Sequence, residues 1–157
     1  MNLTQINCLR KACTYHNMKV EKLKIDANEQ KEPREIYGIS AALDFYRLAY
    51  FLSKTFEQEP EKFTNQNFNE HPNLTFYKFV VEEDTLILVK NQQPEGLFFN
   101  KAKLADYLLI ATGPNAQLIQ DRLKYDLGKV GSVQSIFAIE EKFFTKQKLK
   151  YFDQTSF

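Results

Sequence analysis

FFNKAKLADYLLIATGPN, residues 98–115, runs two aromatics into a lysine-flanked kink, then sets an aspartate and a tyrosine before an apolar run that stops at glycine. Read as a strand over Asp106–Thr112, it places Asp106, Leu108 and Ile110 on one face and Tyr107, Leu109 and Ala111 on the other. Asp106 and Tyr107 could be a reactive pair or the opening of a strand. A carboxylate at a strand's first position accepts backbone N–H bonds from the preceding turn, and a tyrosine ring packs against a helix with its hydroxyl at the edge. No His or second acid lies close by in sequence, so the structural role is the expected one.

Beyond that strand, Pro114 and Asn115 open a helix, with Asn115 as its cap. Its apolar stripe is Ala116, Ile119, Leu123, Leu127 and Val130, and Gly128 and Gly131 weaken or end it. SVQSIFAIE (132–140) follows as a strand. Residues 106–139 thus read as strand, helix, strand, with a right-handed crossover and parallel strands, a unit that looks like half of a ferredoxin-like fold. EEKFFTKQKLKYF (140–152) reads as a short helix.

On the N-terminal side, LTFYKFVVEEDTLILVKN (74–91) is a hairpin turning at Glu83 and Asp84, because its flanks are β-branched and aromatic and its centre is charged. The arm LILV is apolar on both faces and should be central in its sheet. QQPEG then turns the chain into a short strand, Leu97–Phe99. Before the hairpin come a strand at Val20–Ala27, the turn NEQKEP, a strand EIYGIS and a helix. Ser40 is placed to cap that helix, which is taken from Ala41 to Phe56. Phe45, Leu48, Ala49, Leu52 and Phe56 form its apolar stripe, and Tyr46, Tyr50 and Lys54 line another face. The Asn-rich EQEPEKFTNQNFNEHPN (57–73) reads as a surface connector that carries Phe63 and Phe68 and inserts one or both rings. The fold class is α+β: a mostly antiparallel mixed sheet with helices packed on one face.

At 157 residues the chain suits one domain. Residues 18–152 form it, 1–17 read as an extension with Met18 as the natural start, and 153–157 as a frayed tail. Aromatic residues, 14 Phe and 8 Tyr without Trp, make up 14% and should dominate the core. A net charge of +1 supplies no global field for nucleic acid or an anionic membrane. No apolar run approaches the roughly twenty residues of a spanning helix. With no secretory leader and only Cys8 and Cys13, the expected compartment is the cytoplasm, without disulfides.

Three blocks, EIYGISAALDFYRLAYFLSK, PEGLFFNKAKLADYLLIATG and VGSVQSIFAIEEKFFTKQKLKYF, occur in an order and spacing that resemble the bacterial IPExxxVDY family, small proteins without an established activity. The resemblance covers roughly Lys22 to Phe152. On the family's motif Phe99 stands at the isoleucine, Asn100 at the proline, Lys101 at the glutamate and Ala105 at the valine, while Asp106 and Tyr107 match. The resemblance therefore implies no catalytic carboxylate at position 101.

Cys8, Cys13 and His16 have the spacing C-x4-C-x2-H, but a zinc site lacks its fourth ligand, since His71, the other histidine, lies in a distant connector. No base-orienting group supports a Cys–His nucleophile. ATGPN could offer backbone N–H groups to an anion, yet it has one glycine and no P-loop lysine. Neither metal nor cofactor is expected. Lys142, Lys146 and Lys150 recur every four residues beside Tyr151 and Phe152, a pattern that could serve RNA through phosphate contacts and stacking; Tyr46, Arg47, Tyr50 and Lys54 raise the same option on the first helix. The reading is a non-catalytic interaction module that binds a protein partner or itself, through the first helix and the aromatic C-terminal helix. An RNA- or ribosome-associated binder is the alternative.

Overall fold

The computed structural model describes residues 32–65, 73–144 and 152. The run REIYGISA forms β1 (Arg34–Ala41), and after a short bend α1 (Phe45–Phe56) begins. The hairpin is β3 (Leu74–Val81) and β4 (Asp84–Lys90), turning at Glu82 and Glu83, so Asp84 belongs to the second arm. The connector is more than a loop: Glu61–Asn65 is a strand, β2, paired along β3 with Phe63 opposite and stacked on Phe76. QQPEG closes a two-residue ladder between β5 (Gln92–Gln93) and β6 (Gly96–Leu97). The expected strand Leu97–Phe99 stops there because Phe98 and Phe99 turn into the core. β7 (Tyr107–Thr112) leads through a 3-10 turn, Ala116–Leu118, into α2 (Ile119–Leu127), then to β8 (Val133–Ile139). Of the expected C-terminal helix, 140–152, the described residues show a 3-10 turn at Glu141–Phe143 and a helical Phe152; residues 145–151 lie outside the described residues. The predicted strand at Val20–Ala27, the 1–17 segment, Phe68 and the 153–157 tail lie outside the described residues.

The main sheet has the order β2-β3-β4-β7-β1-β8, and every neighbouring pair is antiparallel. β7 and β8 therefore run parallel, as their sequence predicts, but β1 lies between them. In the same way β1 and β4 run parallel with β7 between. Two split strand–helix–strand units interleave in this way, the arrangement of a ferredoxin-like core, and β2 and β3 extend it beyond β4. Leu86, Ile87, Leu88 and Val89 are all buried, as expected of a central strand apolar on both faces.

Both helices cover one face. Leu48, Ala49, Leu52 and Phe56 of α1, with Ile119, Leu123 and Leu127 of α2, close over Tyr37, Ile39, Phe79, Leu88 and Leu109. Val130, the last member of the predicted α2 stripe, falls beyond the helix and is half-buried. The opposite face is covered as well, by chain rather than by helix. Phe98, Phe99, Ala102 and Ala105 lie on Ile36, Ile87, Val89, Leu108 and Ile110, joined by Phe144 and Phe152. Phe144 stacks on Phe99 at 3.8 Å and Phe152 meets Phe98 edge-on at 6.0 Å between ring centroids. Gly38 is glycine for the same reason: a Cβ there would stand 2.6 Å from the ring of Phe137, which crosses it from β8.

This irregular cover is fastened by Asn91, which is wholly buried. Its amide donates to the carbonyls of Ala102 and Ala105 at 3.0 and 2.9 Å, and its side-chain oxygen accepts the Phe99 N–H at 2.8 Å. Its backbone accepts from Phe98 and donates to Asp106. A buried segment without regular structure must still satisfy its backbone groups, and here one side chain satisfies three. Asn91→Ala therefore leaves the Phe99 N–H and the Ala105 carbonyl unpaired, takes one of two bonds from the Ala102 carbonyl, which keeps the Ala105 N–H, and lowers the unfolding free energy by roughly 3 kcal/mol. Urea denaturation measures it; a loss within about 0.5 kcal/mol, the scatter of neutral surface changes, would contradict this role.

Candidate functional site

Asp106 immediately precedes β7. Its carboxylate accepts the N–H of Ala41 at 2.9 Å and the Ser40 hydroxyl at 3.3 Å, and its own N–H donates to Ile39 O. The acceptor is thus occupied by the last residues of β1 rather than by the turn before it. Ser40 is not the helix cap that its position suggests. β1 continues through Ala41, and Asp44 stands at the N-cap of α1 with extended backbone and no side-chain cap bond. Tyr107 stacks on Phe45 of α1 with ring centroids 5.9 Å apart and donates its hydroxyl to Leu43 O. Burial, followed by the charges of Asp106 and Asp44, raises the Tyr107 pKa above its ordinary value. The phenol is thus held protonated, as a donor to a carbonyl requires. Both reactive groups are engaged with the backbone where β1 passes into α1.

A matching arrangement sits where β7 passes into α2. The Asp84 carboxylate accepts the Asn115 N–H at 2.9 Å, and Tyr37 donates its hydroxyl to Ala116 O at 2.8 Å. Gly113, at φ 141°, lets this happen, since a Cβ there would fall 2.8 Å from the Asp84 Cα. Asn115 makes no side-chain cap bond, because α2 starts only at Ile119, after the 3-10 turn. The N–H that ATGPN would offer an external anion is already held by the chain's own carboxylate. Burial, then the charges of Glu35 and Asp121, push the Tyr37 pKa up to about 12.

With these groups assigned to the scaffold, the exposed features stand out. Tyr46 and Tyr50 project from the outer face of α1, 70% and 50% exposed. Lys54 lies 5.3 Å from the Tyr50 ring centroid, and Arg47 is exposed beside them. A groove lies on either side of this tyrosine ridge. One, of about 550 Å³, runs between α1 and the chain at Glu57–Pro60, with Tyr77 at its base. The other, of about 480 Å³, is lined by Leu43, Arg47, Phe51, Val130 and Ser132. Tyr46 and Tyr50 line both. The four predicted α1 residues therefore come together, and the structure adds Tyr77, Pro60, Leu43 and Phe51. Tyr77 and Pro60 gave no sequence signal because each lies on a segment read separately, and Leu43 and Phe51 lie within the stretch read as the first helix but on neither of the faces assigned to it.

The C-terminal cluster is different. Phe144 and Phe152 are buried, which removes them from the expected aromatic contact surface. Lys142 is exposed and ion-paired with Glu140, and its ammonium lies 5.2 Å from the Phe143 ring. Lys101 approaches the same ring, also at 5.2 Å. Lys146, Lys150 and Tyr151 lie outside the described residues, as do Cys8, Cys13, His16 and His71. Among the described residues no group of three or more His, Cys, Asp or Glu is placed to hold a metal ion. Among them, too, no helix is long and apolar enough to cross a membrane.

No protein-family model matches the chain, and comparison with curated proteins finds no match. The geometry itself yields two predictions. Asp106→Ala strands the Ala41 N–H and costs roughly 2 kcal/mol of stability, whereas Asp106→Asn, which keeps an acceptor oxygen, costs less; equal unfolding midpoints for both variants and the native chain would refute the anchor. The second concerns alkaline pH. An unfolded tyrosine releases its proton near 10.0 and folded Tyr37 near about 12, so the folded chain holds more protons in that window. Stability therefore falls as pH rises through it. Tyr37→Phe loses roughly 1 kcal/mol at neutral pH with the bond to Ala116 and flattens the alkaline fall; an unaltered slope in urea unfolding would count against it.

Proposed function

We propose that the chain is a non-catalytic, cytoplasmic interaction module that binds a protein partner through the outer face of α1, and that it belongs to the IPExxxVDY family it resembles. The observation that carries this reading is the pair of exposed tyrosines, Tyr46 and Tyr50, standing between two grooves on a helix whose buried face and entry are both fixed. Tyrosine offers large contact area with few rotatable bonds and a polar tip, and arginine and tyrosine are enriched where binding energy concentrates. The grooves give a partner's side chains somewhere to enter on both sides of the ridge. Arg47 and Lys54, with Glu57 and Glu59 in the groove beside Pro60, set a rim of both signs around an aromatic centre, which suits a partner surface with complementary charges around an apolar patch.

A second reading, RNA binding, is favoured by one observation: the half-exposed Phe143 ring has the ammonium groups of Lys101 and Lys142 each 5.2 Å from its centroid. Ring and cations together form the elements of a stacking platform.

Capture from native lysate on the immobilised full chain, with and without nuclease, separates the two. The module reading predicts a protein partner retained after nuclease and in moderate salt, and a loss of about tenfold or more in affinity with Tyr50→Ala, as for a central aromatic. Lys101→Glu should leave that capture unchanged. Retention that vanishes with nuclease, falls steeply with salt and responds to Lys101→Glu instead of Tyr50→Ala would replace it with the RNA reading.

A further inference from the structure

The two edges of the main sheet differ in chemistry. β2 is five residues long and carries Glu61 and Lys62. β8, VQSIFAI, is seven residues long with neither charge nor proline. An edge strand presents unpaired N–H and C=O groups, and chains blunt such edges by shortness, charge, proline or a bulge. Of these devices β8 has only a bulge near its start, where Ser40 opposes Ser135 but Ala41 opposes Val133. From Ser135 to Ile139 the strand is regular. Among the described residues no strand pairs with its outer side.

Which groups face outward follows from β1. Its Ile39 carbonyl and Ala41 N–H turn toward Asp106, on the β7 side. The alternate residues Ile36, Gly38 and Ser40 therefore turn toward β8, where they oppose Ile139, Phe137 and Ser135. Ile136 and Ala138 are left to direct their backbone groups away from the sheet.

We infer that β8 pairs with β8 of a second copy, antiparallel about a two-fold axis at Phe137, so that two six-stranded sheets become continuous. In that register the outward groups of Ile136 meet those of Ala138 and the reverse, so each copy supplies what the other lacks. Phe137 opposes its own copy, and Ser135 opposes Ile139. In an antiparallel self-pairing only the residue on the axis meets its own copy, but a strand carrying charge of one sign still brings like charges close together, which costs stability; an uncharged β8 avoids this. It also has no charge with which to select a foreign strand of opposite sign. Half-buried Ile136, Phe137 and Ile139 then gain apolar cross-strand contacts. The ladder is short, so the dimer is concentration-dependent rather than obligate.

Sedimentation equilibrium of the full chain, from micromolar to millimolar concentration, tests this. The apparent mass should rise from monomer toward dimer. It should stay monomeric in Ala138→Lys, which charges an exposed edge position, and in Ala138→Pro, which removes an outward N–H that β1 does not use. Tyr50→Ala should dimerise like the native chain, which keeps this surface distinct from the tyrosine ridge. Amide exchange of the native chain supplies a readout free of folding defects: Ile136 and Ala138 should become protected as concentration rises. A monomer at every concentration, dimerisation of both Ala138 variants, loss of the dimer in Tyr50→Ala alone, or unchanged exchange at Ile136 and Ala138 would each overturn the inference.

Discussion

Ala41 is the last residue of β1, where the antiparallel ladder to β7 has run out, and its N–H is held at 2.9 Å by the carboxylate of Asp106. A charge-assisted bond to backbone is among the stronger single contacts a fold can make. This one fixes the direction in which the chain leaves the sheet. Four residues later α1 begins, and its first residue, Phe45, stacks on Tyr107 while the Tyr107 hydroxyl holds Leu43 O. The rotation of α1 about its axis is therefore set before its apolar stripe meets the sheet. Leu48, Ala49, Leu52 and Phe56 go inward, and Tyr46 and Tyr50 are left outside between two grooves. The pair that looks most like a reactive site is what positions the surface proposed to bind.

The second split unit repeats the device. Asp84 and Tyr37 hold Asn115 N–H and Ala116 O at the entry to α2, as Asp106 and Tyr107 hold Ala41 N–H and Leu43 O at the entry to α1. In each case one carboxylate and one phenol satisfy the backbone groups that a strand-to-helix passage exposes. The repetition favours a structural origin for both pairs, since two unrelated reactive sites would have no reason to share it. On the other sheet face Asn91 does comparable work for chain that has no helix to order it.

Much of this was legible in the residues. The strand EIYGIS, the doubly apolar LILV and YLLIAT, and the helical stripe from Phe45 to Phe56 each follow from the apolar pattern, because burial on one or both faces writes itself into spacing. The α1 ridge was legible for the same reason, as the complement of that stripe. Asn91, Asp84 and Tyr37 were not, since their partners lie at least eight residues away, in loops and turns of other parts of the chain. An asparagine after LILVK and an aspartate after two glutamates carry ordinary turn signals. Ser40 and Asn115 misled in the same way: each is a good cap type just before an apolar stripe, but long-range pairing kept the backbone extended at one and tightened it to a 3-10 turn at the other. The rings at 143–152 read as a surface because an aromatic run does not say which rings meet the back of a sheet; Phe144 and Phe152 do.

The central claim is that the Asp106 and Asp84 carboxylates are engaged with backbone N–H groups at the two strand-to-helix passages. Amide hydrogen exchange of the native full chain measures this most directly, at Ala41 and Asn115, whose N–H groups bond to those carboxylates. The account predicts protection at both comparable to the interior of β1 and β7, lost only with global unfolding. Exchange at either amide as fast as in an exposed turn would mean that its carboxylate is free, and would contradict the account.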